Sequence, residues 1–382
     1  MNRRIRLVTA MAATVLTAGC GSTARTAAPA TTARPPSLGT SLATATGTWA
    51  VAVMGGSAAS HNNFWQLFVR PAGTTTWQLA TPPGVASNGG LVLTGLSAGS
   101  VLAGFRPSQD LSYSPLASTR DNGTSWSRGL LDAALADVPG ALAADPASGR
   151  RLALLANGTT DISGPSGTAW TPLVSRRALA ATPADTRCHL VSLTAVTFGP
   201  SGQAMLGAGC GRPGTAGIFS HTGGTWQLTG PTLPAAHDHQ AISVLRLTTS
   251  AGTTTALLAE GTGPAAHLIA AWSTDSGADW KLSPALALKG ATLTSASPGP
   301  DSSLAITLSS RRAAVITTAA GSWQPLPGLP TGTATLAPSP SGGWDALAAH
   351  GTQLTIWQTA PGAQTWARRQ SIKVPVQFGS SG

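Results

Sequence analysis

The sequence predicts an all-β protein, a seven-bladed β-propeller with four-stranded antiparallel blades. Three observations lead to this fold. A tryptophan recurs seven times shortly after a glycine, short runs of strand-forming residues lie between these tryptophans, and 45 glycines and 28 prolines punctuate the runs. Since no segment shows a sustained helical period with caps, the runs are interpreted as strands joined by turns.

The length of the repeat is set by the spacing of its tryptophans. Successive members lie 49, 44, 56, 54, 43 and 43 residues apart, which suits a unit of four short strands. They are Trp77, Trp126, Trp170, Trp226, Trp280, Trp323 and Trp366. The predicted blades span 41–82, 83–133, 134–178, 179–234, 235–287, 288–329 and 330–375. We also expect a last strand at about 371–376 to pair beside the N-terminal strand and close the ring.

Two of the seven turns carry a fuller motif, Ser/Thr-x-Asp-x-Gly-x-x-Trp. In such a turn the carboxylate can accept hydrogen bonds from nearby backbone N–H groups, the glycine can take a positive φ, and the tryptophan can pack between blades. The motif residues are Thr119, Asp121, Gly123 and Trp126 in the first copy, and Ser273, Asp275, Gly277 and Trp280 in the second.

These turns resemble the Asp boxes, or BNR repeats, of sialidase-like propellers, with Asp279 where that family usually has threonine. The resemblance covers most of residues 41–375 and implies a structural role for both motifs. For a sialidase it would further imply a tyrosine nucleophile assisted by glutamate, an aspartate acid/base and three substrate-binding arginines. The chain has one tyrosine, Tyr113, and one glutamate, Glu260, in the reverse of the family's order. We therefore expect no catalytic residues, and a degenerate sialidase-like hydrolase or carbohydrate-binding protein is the second interpretation.

The N-terminus predicts export and lipid anchoring. Arg3, Arg4 and Arg6 precede an apolar stretch at 7–18, which is too short to span a membrane. Thr17-Ala18-Gly19-Cys20 follows and resembles the bacterial lipobox, although leucine is the usual residue at the position of Thr17. We interpret 1–19 as a signal peptide and Cys20 as the lipidated residue, with ordinary secretion as the alternative. Residues 20–40 are then a flexible Ala/Thr/Pro linker, 41–376 the propeller, and 377–382 a flexible tail.

The two other cysteines, Cys188 and Cys210, are expected to form a disulfide in an oxidising compartment. The residues between them indicate two strands joined by a turn at 199–202, which would bring the cysteines to opposite positions of one hairpin. Two buried free thiols are the other interpretation.

The charge pattern does not indicate nucleic-acid binding. The chain carries 23 basic and 13 acidic residues, and loss of the three leader arginines lowers its net charge from +10 to +7. These charges are scattered and form no basic run. Four arginine pairs recur, and if each lies in a strand, one guanidinium of each points outward. Four of these side chains are candidates for an anion-binding rim, with solvated blade edges as the alternative: Arg151, Arg177, Arg312 and Arg369.

Neither a metal nor a cofactor is expected. His237-Asp238-His239 places two imidazoles two residues apart, but no third ligand follows at an obvious spacing. An exposed linker is therefore the favoured interpretation of this segment. The sequence as a whole predicts an extracytoplasmic lipoprotein, anchored to the cell membrane through Cys20, whose non-catalytic propeller binds a protein or glycan partner in the envelope. The sequence does not indicate the oligomeric state, and a monomer is assumed.

Overall fold

The computed structural model describes the following residues: 37–55, 63–82, 85, 87, 89–96, 99–106, 115–127, 130–131, 138–234, 240–317, 321–362 and 365–375. Some predictions from the sequence fall outside them. These are the predictions for the signal peptide, Cys20 and most of the linker, Tyr113, the His237–His239 segment, and the residues from 376 onward.

The described strands follow one another as four-stranded antiparallel units, numbered here in chain order. Unit 1 contains β1 Thr40–Thr44, β2 Gly47–Gly55, β3 Asn63–Pro71 and β4 Gln78–Leu79. Unit 2 contains β5 Leu91–Gly95, β6 Val101–Phe105, β7 Pro115–Thr119 and β8 Leu130–Leu131. Unit 3 contains β9 Pro139–Ala144, β10 Arg151–Leu155, β11 Thr159–Ser163 and β12 Trp170–Ser175. Unit 4 contains β13 Leu190–Phe198, β14 Ala204–Cys210, β15 Gly217–Thr222 and β16 Thr225–Leu228.

Three further units complete the described part of the chain. Unit 5 contains β17 Ile242–Ser250, β18 Thr253–Glu260, β19 His267–Ser273 and β20 Lys281–Leu282, with a short extra strand, β21 Leu286–Ala287, paired to β19. Unit 6 contains β22 Leu293–Pro298, β23 Leu304–Leu308, β24 Ala313–Ile316 and β25 Gln324–Pro325. Unit 7 contains β26 Thr333–Pro338, β27 Trp344–His350, β28 Gln353–Thr359 and β29 Ala367–Lys373.

Within each unit the strands pair in chain order, and units 4 and 5 also join through the single residue pair Gly209 and Ser243. The prediction of an all-β protein built from four-stranded antiparallel sheets is confirmed. Helical structure is short in the described residues. It comprises α1 Arg176–Ala180, which Ser175 caps, and 3₁₀ turns at Pro183–Arg187, Gly263–Ala265 and Pro300–Ser302. The first two of these segments lie between units 3 and 4, where the tryptophan spacing is longest.

The apolar core lies between neighbouring units. The middle strands carry consecutive buried apolar residues, as β2 and β18 show. Because consecutive residues of a strand point to opposite faces, each sheet must be covered on both sides. Trp49 and Leu67 of unit 1 pack with Phe105 of unit 2, and clusters of the same kind lie between each later pair of units. Unit 7 packs on unit 1 in turn, with Leu347 against Phe68. The units therefore form a closed ring.

The recurring tryptophans lie at or just before the fourth strand of each unit, which explains the period seen in the sequence. Several donate their indole N–H to the preceding unit: Trp280 to the carbonyl of Thr229 at 2.7 Å, Trp323 to Pro284 at 3.2 Å and Trp366 to Pro327 at 3.0 Å. Trp77 of unit 1 donates to unit 7, its other neighbour in the ring, through the carboxylate of Asp345 at 2.9 Å. The tryptophan thus joins each of these units to the one before it.

The predicted closure of the ring by a terminal strand is wrong. β29 pairs with β28 of its own unit, and β1 pairs with β2. Units 1 and 7 are each built from contiguous chain, and they are joined by one backbone bridge, between Gly55 and Gly351, and by side chains. Arg70 pairs with Asp345, and Gln370 exchanges two hydrogen bonds with the backbone of Trp77, at 2.8 and 2.7 Å.

Candidate functional site

The first strands of units 1 to 5 surround a central cavity of about 550 Å³. Its walls are largely aliphatic, and threonine hydroxyls lie among the apolar groups. No aspartate or glutamate is among the described residues that line it. The aliphatic lining includes Leu42, Leu93, Leu142, Val196 and Leu245, and the hydroxyl lining includes Thr94, Thr194, Thr197 and Thr248. This is the volume and composition of a small-ligand pocket.

The floor of the cavity lies at the end of the ring where the first strands begin. Three residues before β1 cross it. Ser37 donates to the carbonyl of Gly89 in the segment before unit 2, at 3.0 Å. Gly39 donates to the carbonyl of Thr294 in unit 6 at 2.9 Å, and accepts from the N–H of Ala296 at 3.0 Å. This segment, Ser37–Gly39, therefore reaches from one side of the ring to the other.

Two further groups complete the floor. Arg106, buried at the end of unit 2's second strand, donates to the Ser37 hydroxyl at 3.1 Å. Leu38 packs against the apolar cluster between units 5 and 6. The opposite end, where the first strands finish, is the mouth, and exposed residues line it: Ala45, Pro146 and Ser250.

A β-bulge interrupts the first strand in each of units 3 to 7. In unit 5, Val244 pairs with Leu258 and Arg246 with Leu257, so Leu245 is the extra residue. The corresponding extra residues in the other units are Gly140, Thr194, Thr294 and Ala334. A bulge changes the direction of the side chains that follow it, so this repeated irregularity shapes the inner wall.

Arg246 is the charged residue that the bulge of unit 5 places in the cavity wall. In the described part of the chain its guanidinium has no hydrogen-bond or ion-pair partner, and its Nε atom is buried. Burial lowers the pKa of Arg246 to about 10. The side chain therefore stays protonated at neutral pH, and no described residue of the cavity lining compensates its charge.

No pattern in the sequence predicts a role for this residue. Arg246 is the one charged residue in the strand Ile242–Ser250. That contrast is visible in the sequence, but the bulge that directs the side chain inward depends on the strand register, which the sequence does not reveal.

The two motif turns lie outside the cavity, between the third and fourth strands of units 2 and 5. In the first, the Thr119 hydroxyl donates to the Asp121 carboxylate at 2.8 Å, and the backbone N–H of Ser125 donates to the same carboxylate at 2.9 Å. In the second, the Ser273 hydroxyl donates to the Asp275 carboxylate at 2.8 Å, and the backbone N–H of Asp279 donates to the same carboxylate at 3.0 Å. Gly123 and Gly277 have φ of 80° and 96°.

Hydrogen bonding sets the acidity of both motif carboxylates. Bonds from the side chain and backbone of Ser125 lower the pKa of Asp121, and the backbone N–H of Asp279 lowers that of Asp275. Of the two motif tryptophans, Trp126 packs edge-on against Trp49 of unit 1, with ring centroids 6.1 Å apart, and Trp280 bonds to unit 4. Each motif therefore joins its turn to the neighbouring unit.

The structure does not bring the four rim arginines together. Arg151 starts a second strand at the mouth end, Arg312 lies in a hairpin turn at the floor end, and Arg369 lies in the outermost strand of unit 7. Arg177 lies in α1 and not in a strand, so the expected alternation of faces does not hold there. Three of the four donate hydrogen bonds to the protein itself: Arg151 to Pro165, Arg312 to Leu288 and Arg369 to Gln358.

Glu260 also lies away from the cavity. It is buried at the end of β18, 3.8 Å from the Nδ1 atom of His267, and is not among the residues that line the cavity. Cys188 and Cys210 form a disulfide, with their Cα atoms 4.8 Å apart. As the sequence predicts, β13 and β14 form a hairpin beside it, and Leu190 pairs with Cys210.

The described residues provide neither a metal-binding cluster nor a membrane-spanning helix. They contain no cluster of three or more histidine, cysteine or acidic side chains able to hold a metal ion. In the same residues, no helix has the length and apolar character needed to span a membrane.

The comparisons with known proteins bear on the fold. No family model and no curated protein matches the chain. A 6-phosphogluconolactonase candidate from Bacteroides uniformis is similar at 15% identity with a TM-score of 0.53, covering 86% of this chain and 97% of its own. YCF48 from Cyanidioschyzon merolae is similar at 12% identity with a TM-score of 0.51, covering 88% and 98%. A structure of YCF48 bound to a D1 peptide has 14% identity and a TM-score of 0.46, covering 91% and 96%. Together with the four-stranded sheets described above, the first two likenesses show that the chain folds as a β-propeller.

Proposed function

We propose that this chain is a lipid-anchored, non-catalytic binding protein of the bacterial envelope, which holds part of a protein partner in its central cavity. The observation that carries the proposal is the cavity itself, which has about 550 Å³ of space, aliphatic walls and a mouth lined by exposed residues. Pockets of this kind bind ligands by burying apolar surface, with a few polar groups fixing the orientation.

The placement of the acidic residues supports binding without catalysis. General acid–base chemistry needs a titratable group within hydrogen-bond reach of the reacting atoms. Asp345 and Glu260 are buried outside the cavity lining, and the carboxylates of Asp121 and Asp275 accept hydrogen bonds within their own turns. The basic groups at the cavity, Arg106 and Arg246, suit binding better than hydrolysis.

The lipid anchor is proposed from the sequence of the first twenty residues, with Cys20 as the modified residue. Growth of a producing strain with an alkyne-labelled fatty acid tests it. We expect the label on the wild-type protein and its loss from Cys20→Ser, with the variant released from the membrane fraction. Label retained on Cys20→Ser would contradict this anchor, and unlabelled wild type would favour ordinary secretion.

Cross-linking from the cavity mouth tests the binding function. A photoreactive amino acid at Ala45, on the mouth, is compared with one at Lys373, on the outermost strand of unit 7. We expect a discrete protein adduct from Ala45 and none from Lys373. Thr248→Trp, which fills the cavity, should abolish the Ala45 adduct, whereas Thr222→Trp on an exposed hairpin should leave it unchanged.

Two results would refute the proposal. One is a Thr248→Trp variant that has the thermal stability of the wild type and still forms the Ala45 adduct. The other is hydrolysis of a sialoside or another glycoside that is lost in Glu260→Gln, since this would favour the hydrolase interpretation.

A further inference from the structure

We propose that the cavity recognises a carboxylate at the end of an aliphatic group, and that Arg246 binds this carboxylate. The inference depends on the proposed function, because it names the chemistry of the group that enters the same cavity. Three observations support it: the position of Arg246 in the repeat, the absence of a partner for it among the described residues, and the character of the cavity walls.

The position of Arg246 in the repeat is unusual. It directly follows the extra residue of the unit 5 bulge and pairs with Leu257 of the second strand. Small side chains occupy the corresponding positions of the other bulged strands: Ala141, Ala195, Ser295 and Thr335. Because the fold is built with small residues at this position, packing does not require a long cationic side chain in unit 5.

The position of Arg246 is also energetically unfavourable, because none of the described residues is a partner for its charge. The Arg246 side chain is half-buried, and its Nε atom is fully buried without a hydrogen-bond partner. Loss of water from a cation that gains no counter-charge is unfavourable, and this desolvation also lowers the pKa of Arg246. The cavity lining provides no carboxylate in its described residues. A ligand oxyanion would supply the missing partner, and the planar guanidinium suits the two oxygens of a carboxylate.

The groups near Arg246 favour a ligand with one charge and an apolar body. Leu245 and Leu247 flank it in the strand, and Val196 lines the cavity from unit 4. The Thr194 hydroxyl already donates to the carbonyl of Val244. Arg106, the second cation of the cavity, is at the floor and donates to Ser37. The carboxylate is therefore assigned to Arg246, and the aliphatic group to the space between it and the mouth.

The test compares acids with their neutral amides. Octanoate and octanamide present this chemistry without a peptide backbone, and the peptide acetyl-Leu-Val-Leu with a free or amidated C-terminus presents it on a peptide. Calorimetric titration of the wild-type protein should show an acid that binds about 10- to 100-fold more tightly than its amide. A preference for octanoate over octanamide would identify a fatty acid as the source of the carboxylate, and a preference for the free over the amidated peptide would identify a peptide C-terminus.

Two variants decide whether Arg246 is responsible. Arg246→Gln removes the charge and should abolish the preference for the acid while leaving amide binding unchanged. Arg312→Gln removes an exposed guanidinium at the floor end and should leave the preference intact. Equal affinity for acid and amide in the wild type, or a preference that persists in Arg246→Gln, would overturn the inference.

These outcomes can be separated from failure of the proposed function. If neither acid is preferred but Thr248→Trp still abolishes cross-linking from Ala45, the cavity binds a partner and only its assigned chemistry is wrong. If Thr248→Trp leaves cross-linking unchanged and neither acid binds, both proposals fail.

Discussion

Arg70 of β3 and Asp345 of β27 form a buried ion pair that joins the first unit of the ring to the last. The guanidinium also donates to the Thr48 hydroxyl at 3.0 Å and to the Pro338 carbonyl at 2.7 Å, and lies over the Trp77 ring at 5.0 Å. Burial raises the pKa of Asp345 and lowers that of Arg70, so for both groups desolvation outweighs their mutual attraction. The pair joins two units that share no strand.

Removing one partner of this pair should destabilise the protein strongly. Asp345→Ala leaves the Arg70 charge buried without compensation, and we expect a loss of about 3–5 kcal/mol in the free energy of unfolding. The double variant Arg70→Met/Asp345→Leu removes both charges and should recover at least half of this loss. Urea denaturation of the three proteins measures both effects, and equal stability of the single and double variants would refute the account.

A methyl group at Gly39 should displace the segment that crosses the cavity floor. A Cβ atom there would lie 2.5 Å from the carbonyl oxygen of Ala334 and 3.1 Å from the Cβ of Ser295. We expect Gly39→Ala to lower stability by about 1–3 kcal/mol and to speed proteolysis before β1. Gly164→Ala is the control, since its added methyl meets no atom within 4 Å. A neutral Gly39→Ala would show that the floor segment tolerates displacement.

The motif carboxylates should make stability depend on acid pH. Hydrogen bonds lower the folded-state pKa of Asp275 below its ordinary value. The stabilisation is therefore present above the ordinary pKa and disappears as the pH falls through the lowered one. Asp275→Ala should lower Tm at pH 7 and leave a smaller difference from wild type near pH 2. Asp279→Ala, at an exposed position of the same turn, should change Tm little. A Tm difference that is constant with pH would contradict this role.

The disulfide should contribute through the loop that it closes. Cys188 and Cys210 are 22 residues apart, and both are buried. Chain-entropy arguments give about 3 kcal/mol for a loop of this size. The free energy of unfolding of Cys188→Ala/Cys210→Ala should therefore be lower by this amount, and its urea midpoint should fall accordingly. Reduced wild type should approach the variant, and reduction without effect on the urea midpoint would refute the prediction.

The class of fold was predictable because its signals are local. Each recurring tryptophan closely follows a glycine-containing turn, and turns of this kind are set by residues a few positions apart. The hairpin beside Cys188 and Cys210 was predictable for the same reason, since the Gly199–Gly202 turn separates two strand-forming runs.

The closure of the ring and the cavity charge were not predictable in this way. Trp77 and Gln370 are 293 residues apart, and nothing in either segment indicates the other. The bulge before Arg246 depends on how β17 pairs with β18, and a shift of one residue would reverse the direction of its side chains. The arginine pairs misled because Arg177 lies in a short helix between two units.

The segment before β1 has a mechanical consequence. Gly39 and Ser295 form a parallel bridge, and the two hydrogen bonds of Gly39, to Thr294 and from Ala296, lie side by side. A force that pulls the chain N-terminally from Ser37 acts along this bridge and loads both bonds at once, in shear, instead of peeling them apart one after the other. Tension on the chain before Ser37 would thus load the Ser37 contacts beside unit 2 first and the Gly39 bridge to unit 6 next, so that both sides of the cavity share the load.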